Sequence, residues 1–226
     1  MKSYKIALIC DWFLPKIGGI EINMRDLARN LSARGHDVEV INAYFGPGIV
    51  DGVKVHRLKV PVIPGVGLVY GRSIERKLGK ILLQGHFDVV HGHYLLSTLA
   101  HAGFYLCRKL NIPTVFTHHS VTAVLHNRPA LLALPWLASF FGAVLFLKPV
   151  RHRSFSPAVV TAVSRAVAAD MGIVFRRKQI PVLANGIDPK EWRCEKIPDR
   201  EFHIASVMRL YSSKHPLRDW GSGLES

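Results

Sequence analysis

Two short histidine runs carry the residue types best suited to chemistry: His91-Gly92-His93 and His118-His119. Each closes an apolar run that reads as a strand, so all four imidazoles fall at the carboxyl edge of one sheet, where open α/β sheets bind their ligands. Two histidines from each of two loops suit a metal ion, proton transfer or hydrogen bonding to a sugar. No carboxylate or cysteine lies close in sequence to complete a metal set, so no metal is expected. The competing reading is that each histidine caps its strand or bonds a backbone carbonyl. Gly18-Gly19 follow the first strand and precede a helix, which offers bare N–H groups to a phosphate or sugar hydroxyl. A plain turn is the alternative, and because the pattern is not G-x-G-x-x-G a dinucleotide reading is weak. Ser164 stands after a later strand as a helix N-cap, and Asn185-Gly-Ile-Asp188 marks a sharp turn. Arg209 and Lys214 flank the turn after the last strand, as two cations aimed at one diphosphate or as a solvated surface pair.

The elements that must position these residues alternate along the chain. Residues 4–10 form a short apolar run suited to a parallel strand covered on both faces. A loop over 11–18 leads to a helix with apolar Ile22, Leu27 and Leu31, closed by Gly35. Residues 38–44 read as the next strand, with 53–60 a paired segment after the turn at 46–48. A helix over 68–83, a strand over 87–91, a helix over 97–110 and a strand over 114–117 follow. The same pattern continues with a strand at 159–163, a helix after Ser164 and a strand near 180–184. Such alternation specifies a doubly wound parallel sheet of the α/β class. The polar, proline-bearing segment 189–200 suits an interdomain linker, and the strand and turn over 201–216 suit the opening of a further domain. Residues 217–226 show neither helical nor strand periodicity, so the second domain is expected to be truncated.

Composition bounds the partners. With 226 residues, 49% hydrophobic and 20% charged, the chain can bury a full core and is not disordered. Its formal net charge of +14 favours anionic surfaces. The basic residues are dispersed and no nucleic-acid motif accompanies them, so lipid headgroups or phosphates are preferred and no nucleic-acid partner is expected. Cys10, Cys107 and Cys194 are far apart and form no C-x-x-C, so neither a disulfide framework nor a zinc site is indicated. With no signal peptide at the start, a cytoplasmic location is expected. The uncharged stretch 129–147 is nearly long enough to span a bilayer, but Pro135 interrupts it, so a buried or interfacial helix at the inner membrane face is expected.

Taken in order, the segment from Asp11 through Gly18-Gly19 to Glu21, Val89-Val-His-Gly-His93, Thr117-His-His119-Ser120, Val163-Ser164, Asn185-Gly-Ile-Asp188 and Arg209-Leu-Tyr-Ser-Ser-Lys214 resemble the family 4 retaining glycosyltransferases of the GT-B fold. The likeness is strongest to the branch holding the N-acetylglucosaminyl-phosphatidylinositol synthase. It implies a Rossmann-like acceptor domain over 1–188, a linker over 189–200, the start of a donor domain over 201–216 and an irregular tail over 217–226. It implies transfer of a sugar from a nucleotide-sugar to a lipid-linked or glycan acceptor, with retention and with no cofactor beyond the donor. His119 then contacts the transferring sugar as the catalytic residue. Gly18, Gly19, Glu21, His93, Ser164 and Asn185 fall among the donor- and acceptor-binding positions, and Arg209 and Lys214 would grip the diphosphate. The family's E-x7-E region and nucleotide pocket find no counterpart in 217–226, which implies inactivity of this chain alone. The alternative is a non-catalytic acceptor module that pairs with a separate donor-domain subunit.

Overall fold

The computed structural model describes residues 2–61, 69, 73–95, 97–120 and 157–187. The chain divides into two compact units, Met1–Gly186 and Ile187–Ser226, and every element below belongs to the first. The stretch 129–147 and the strand and turn expected over 201–216, with Arg209 and Lys214, lie outside the described residues.

The described strands are β1 (Lys5–Ile9), β2 (Asp37–Asn42), β3 (Ile49–Val50), β4 (Val53–Arg57), β5 (Val89–His93), β6 (Thr114–His118) and β7 (Val159–Ala162). The helices are α1 (Gly19–Ala33), α2 (Ser73–Gly85), α3 (Thr98–Leu110) and α4 (Arg165–Phe175). They build one sheet in the order β3-β4-β2-β1-β5-β6-β7. Every ladder is parallel except the short β3–β4 hairpin. Without that hairpin strand the order is that of a dinucleotide-binding sheet, winding outward in both directions from β1. The α/β doubly wound architecture expected from the alternation is therefore the fold.

The sheet is covered on both faces because its strands are apolar on both. In β1, Ile6 and Leu8, with Cys10 just beyond, join one core with Met24 and Ala28 of α1 and with Val38, Val40, Val53 and Val55. Ala7 and Ile9 face the other side and join Leu78 and Leu82 of α2, Leu99 and Phe104 of α3 and Met171 of α4. Period-two alternation thus splits one strand between two cores. Each fully buried aliphatic side chain is worth about 1.5–3 kcal/mol. Cys10 is a buried free thiol whose pKa burial pushes up to about 12, so it packs as a small apolar group.

Several boundaries differ from the sequence expectation. The described part of α2 begins at Ser73, and Val69 lies in a β-bridge rather than in a helix. Helix α1 begins at Gly19, where the expected loop over 11–18 ends, with Gly18 as its N-cap. Strand β5 ends at His93, not His91, so His91 and His93 are strand residues rather than loop residues. The strand expected near 180–184 is reduced to one parallel bridge, Ala162 to Val182, held by Ala162 N–H donating to Pro181 O at 3.0 Å and Leu183 N–H donating to Ala162 O at 2.8 Å. Pro181 has no N–H of its own, which limits how far that ladder extends.

Candidate functional site

The strand order reverses between β1 and β5, and the loops that follow these two strands flank the crevice that such a reversal opens. On the β1 side, residues 11–18 lead into α1. On the β5 side, Tyr94 to Ser97 lead into α3.

Asp11, 5% exposed, ties the two loops together. Its carboxylate accepts from Ser97 Oγ at 3.0 Å, Leu99 N–H at 2.8 Å and Thr98 N–H at 3.1 Å, so it sits on the first turn of α3. A carboxylate at a helix N-terminus meets unsatisfied N–H groups and the positive end of the dipole. Burial pushes its pKa up to about 6 while those hydrogen bonds pull the other way. Ser97 also caps α3 by accepting from Ala100 N–H. Nothing local in the sequence marks Asp11 for this role, since its partners lie more than eighty residues away.

The two glycines have different reasons to be glycine. A Cβ on Gly18 would collide with the Glu21 carboxylate, which folds back over it. Glu21 is buried at the third position of α1, with Lys16 Nζ at 3.8 Å. A Cβ on Gly19 would meet nothing within 4 Å. Gly18 thus serves the packing of the loop, and Gly19 is the bare position at the start of α1.

The imidazoles form a layer on one face of β5 and β6. His91 and His93 point to the same side of β5, and Thr117 and His119 continue that side on β6, where His93 is the register partner of Thr117. His93 Nδ1 and His119 Nε2 share a hydrogen bond of 2.9 Å, with the rings stacked at 5.2 Å and 27°. The His91 and His93 rings lie 4.2 Å apart. Below them runs a hydroxyl chain: Thr161 Oγ1 donates to Phe116 O at 3.3 Å, Thr117 and Thr161 Oγ1 lie 2.7 Å apart, and His91 Nε2 is 2.7 Å from Thr117 Oγ1. With Thr161 committed to the carbonyl, Thr117 donates to Thr161 and His91 Nε2–H donates to Thr117. Thr161 was not singled out from sequence, although its register opposite Thr117 makes the contact inevitable.

Burial keeps these rings neutral. The pKa of His91 is lowered to about 4 by desolvation and by His119, and that of His119 to about 4 by desolvation. His93, 1% exposed, is held well below the ordinary histidine range by desolvation and then by its two neighbours. His118 faces the opposite side, beside Phe116, and its Nδ1 accepts from Leu95 N–H at 3.3 Å. Its pKa is also lowered to about 4, chiefly by desolvation, with Asp170 opposing. The four histidines are thus split by the strand's own alternation into a triad and an outlier. Among the described residues no group of His, Cys, Asp or Glu is arranged to hold a metal ion.

The remaining candidates stand apart from this layer. Ser164 Oγ accepts from Val167 N–H at 3.2 Å and so caps α4. Asn185 is exposed, and its Oδ1 accepts from Asn23 Nδ2 of α1 at 3.0 Å.

Comparison with known proteins gives a consistent family. Residues 17–191 match the model of Glycosyltransferase Family 4. One human relative, the A-type chain of phosphatidylinositol N-acetylglucosaminyltransferase, is 26% identical over 90% of this chain and 48% of its own length. The GPI3 subunit of the Saccharomyces cerevisiae enzyme is 32% identical over 53% of this chain and 28% of its own length. A GDP-mannose-dependent alpha-mannosyltransferase of Mycobacterium tuberculosis is 30% identical over 95% of this chain and 58% of its own length. The chain therefore spans between about a quarter and somewhat over half of these relatives. Among solved structures, Anabaena HepE in complex with UDP-glucose superposes with a TM-score of 0.56 at 16% identity, covering 83% of this chain and 45% of that one. The glycosyltransferase WaaG gives 0.54 at 16% identity, covering 86% and 48%. These last two show a shared fold.

Proposed function

Because the chain belongs to Glycosyltransferase Family 4, we propose that it is the acceptor-side domain of a retaining glycosyltransferase acting on a lipid-linked or glycan acceptor. The observation that carries this reading is the histidine layer beside the strand-order reversal, with the bare Gly19 on the other side of the same crevice. Neutral imidazoles there hydrogen-bond to a sugar without adding charge, which suits His119 as the group that meets the transferring sugar. In the transfer the acceptor oxygen bonds to the anomeric carbon, the bond from that carbon to the diphosphate breaks, and the acceptor's proton passes to the departing diphosphate oxygen. Cations aimed at the leaving group lower the barrier by stabilising the charge that develops there, the role proposed for Arg209 and Lys214. No metal is part of this proposal.

The relatives support both substrates: two are named for N-acetylglucosaminyl transfer to phosphatidylinositol, one for use of GDP-mannose, and HepE binds UDP-glucose. The net charge of +14 supports work at an anionic membrane surface, and no helix among the described residues is long and apolar enough to cross one. We place that surface on the cytoplasmic side. The proposed domain limits are 1–188 for the acceptor domain, 189–200 for the linker and 201–216 for the start of the donor domain. Since the nucleotide pocket of such enzymes lies in the donor domain, residues 1–226 alone are expected not to turn over. A second reading, an acceptor module working with a separate donor-domain subunit, is supported by the naming of these relatives as subunits.

The test is sugar transfer by residues 1–216 fused to the donor domain of a relative, assayed with UDP- and GDP-sugars and phosphatidylinositol-containing vesicles. A glycosylated lipid or glycan product is expected. A folded fusion that binds nucleotide-sugar and glycosylates no acceptor overturns the reading.

A further inference from the structure

The hydrogen bond between His93 and His119 has a direction, and that direction fixes what His119 can do. Two neutral imidazoles that meet nitrogen to nitrogen require one proton between them, so one ring donates and the other gives up its lone pair. His93 Nδ1 faces His119 Nε2 at 2.9 Å, while His93 Nε2 and His119 Nδ1 are buried and have no hydrogen-bond partner among the described residues. Whichever ring donates, one of these outer nitrogens carries an unpaired N–H and the other an unpaired lone pair. A buried unpaired N–H is the rarer and costlier of the two.

The surroundings decide where that N–H resides. Among the described residues no backbone group dictates the state of His93, unlike His118, whose Nδ1 accepts from Leu95 N–H. His93 is 1% exposed and lies between the His91 and His119 rings. His119 is only partly buried and stands at the end of its strand. The unpaired N–H is therefore less costly on His119, whose ring is the less buried of the two. We propose that His93 is a positioning residue whose Nδ1–H donates to His119 Nε2, holding His119 as the Nδ1–H tautomer with its ring stacked on His93.

The consequence is a division of labour at the site. With its Nε2 lone pair engaged, His119 offers a single N–H donor and no free acceptor. It can donate to an oxygen of the sugar, and it cannot take the acceptor's proton as a general base. This rests on the reading of His119 as the residue that meets the transferring sugar.

The experiment uses the 226-residue chain with 15N-labelled histidine and long-range proton–nitrogen correlation at about pH 7.5, where these rings are neutral. Signals of His119 are assigned by their loss in His119→Gln. The expected result is one fixed Nδ1–H tautomer for His119 in the wild type. His93→Asn, whose amide N–H reaches the place of Nδ1–H, is expected to retain it. His93→Phe, which keeps the ring and removes the donor, is expected to return His119 to the intrinsically favoured Nε2–H form. An Nε2–H tautomer or a mixture in the wild type overturns the proposal without any variant, and so does an unchanged tautomer in a folded His93→Phe chain. The reading of His119 fails separately: fixed tautomers as expected, with His119→Ala leaving transfer by the fusion undiminished, support the positioning role and remove the sugar contact.

Discussion

At the scale of single residues, the site is defined by histidines kept neutral by burial. Below about pH 6.5 the unfolded chain protonates its histidines, while His91, His118 and His119 resist until about pH 4, and burial likewise holds His93 well below the ordinary histidine range. The unfolded state then binds more protons, so stability present above pH 6.5 is lost as pH falls through 4, on the order of 3 kcal/mol for a fully buried ring. Asp11 works in the opposite sense. Its folded pKa is raised to about 6, so it contributes stability that is present below its unfolded value and lost as pH rises through 6. One carboxylate does not offset several imidazoles. Urea midpoints measured from pH 7.5 down to pH 4 should therefore fall steadily, and a flat profile would contradict neutral burial of the layer. Residue types and spacing made the histidines and glycines legible in the sequence. The tautomer logic was not, because it depends on which strand faces which, and on hydroxyls such as Thr161 Oγ1, which the sheet register brings against the Thr117 hydroxyl that meets His91.

At the scale of elements, the loops at the reversal point depend on helix N-termini. Gly18→Ala forces the Glu21 carboxylate off the loop and should lower stability by about 1–2 kcal/mol, as small-to-large changes in packed sites do. Gly19→Ala meets open space at the first turn of α1 and should leave the melting temperature within a few degrees. Thermal denaturation of the pair checks this, and equal losses would show that the glycines are not distinct. The capping serines should separate in the same way. Ser164→Ala removes one cap at about 1 kcal/mol, whereas Ser97→Ala removes a cap and leaves buried Asp11 short of a donor, a larger loss. The order of strands and helices was legible because apolar runs and helical spacing alternate cleanly. The ends were less so: β5 runs on through His93 because Gly92 lets Phe104 of α3 pack against the strand, with its Cζ 2.6 Å from where a Cβ would sit. No local pattern announces that contact. The bridge at Val182 falls short of a strand for a reason that was visible, the proline beside it.

At the scale of the whole molecule, a chain of net charge +14, with relatives named as phosphatidylinositol N-acetylglucosaminyltransferases, should favour anionic surfaces. Sedimentation with vesicles should show binding to phosphatidylinositol-containing membranes that exceeds binding to neutral ones and weakens as salt rises toward physiological strength, where screening acts over about 8 Å. Equal binding to both membranes would remove the electrostatic part of this expectation. The fold class could be read from the alternation alone, whereas the chemistry needed the resemblance carried by the ordered motifs, since histidines at a sheet edge are compatible with several reactions. If sugar transfer takes place at the histidine-lined edge of the strand-order reversal, as proposed, its rate must depend on His119. The direct test is kcat/KM for transfer by the fusion carrying His119→Ala, set beside His36→Ala, a histidine just before β2 whose Nδ1 accepts from Tyr4 N–H. A fall of about 30- to 1,000-fold is expected for His119→Ala, the loss of a preorganised donor worth about 2–4 kcal/mol in the transition state, and no change for His36→Ala. Equal rates for a folded His119→Ala fusion and the parent would contradict it.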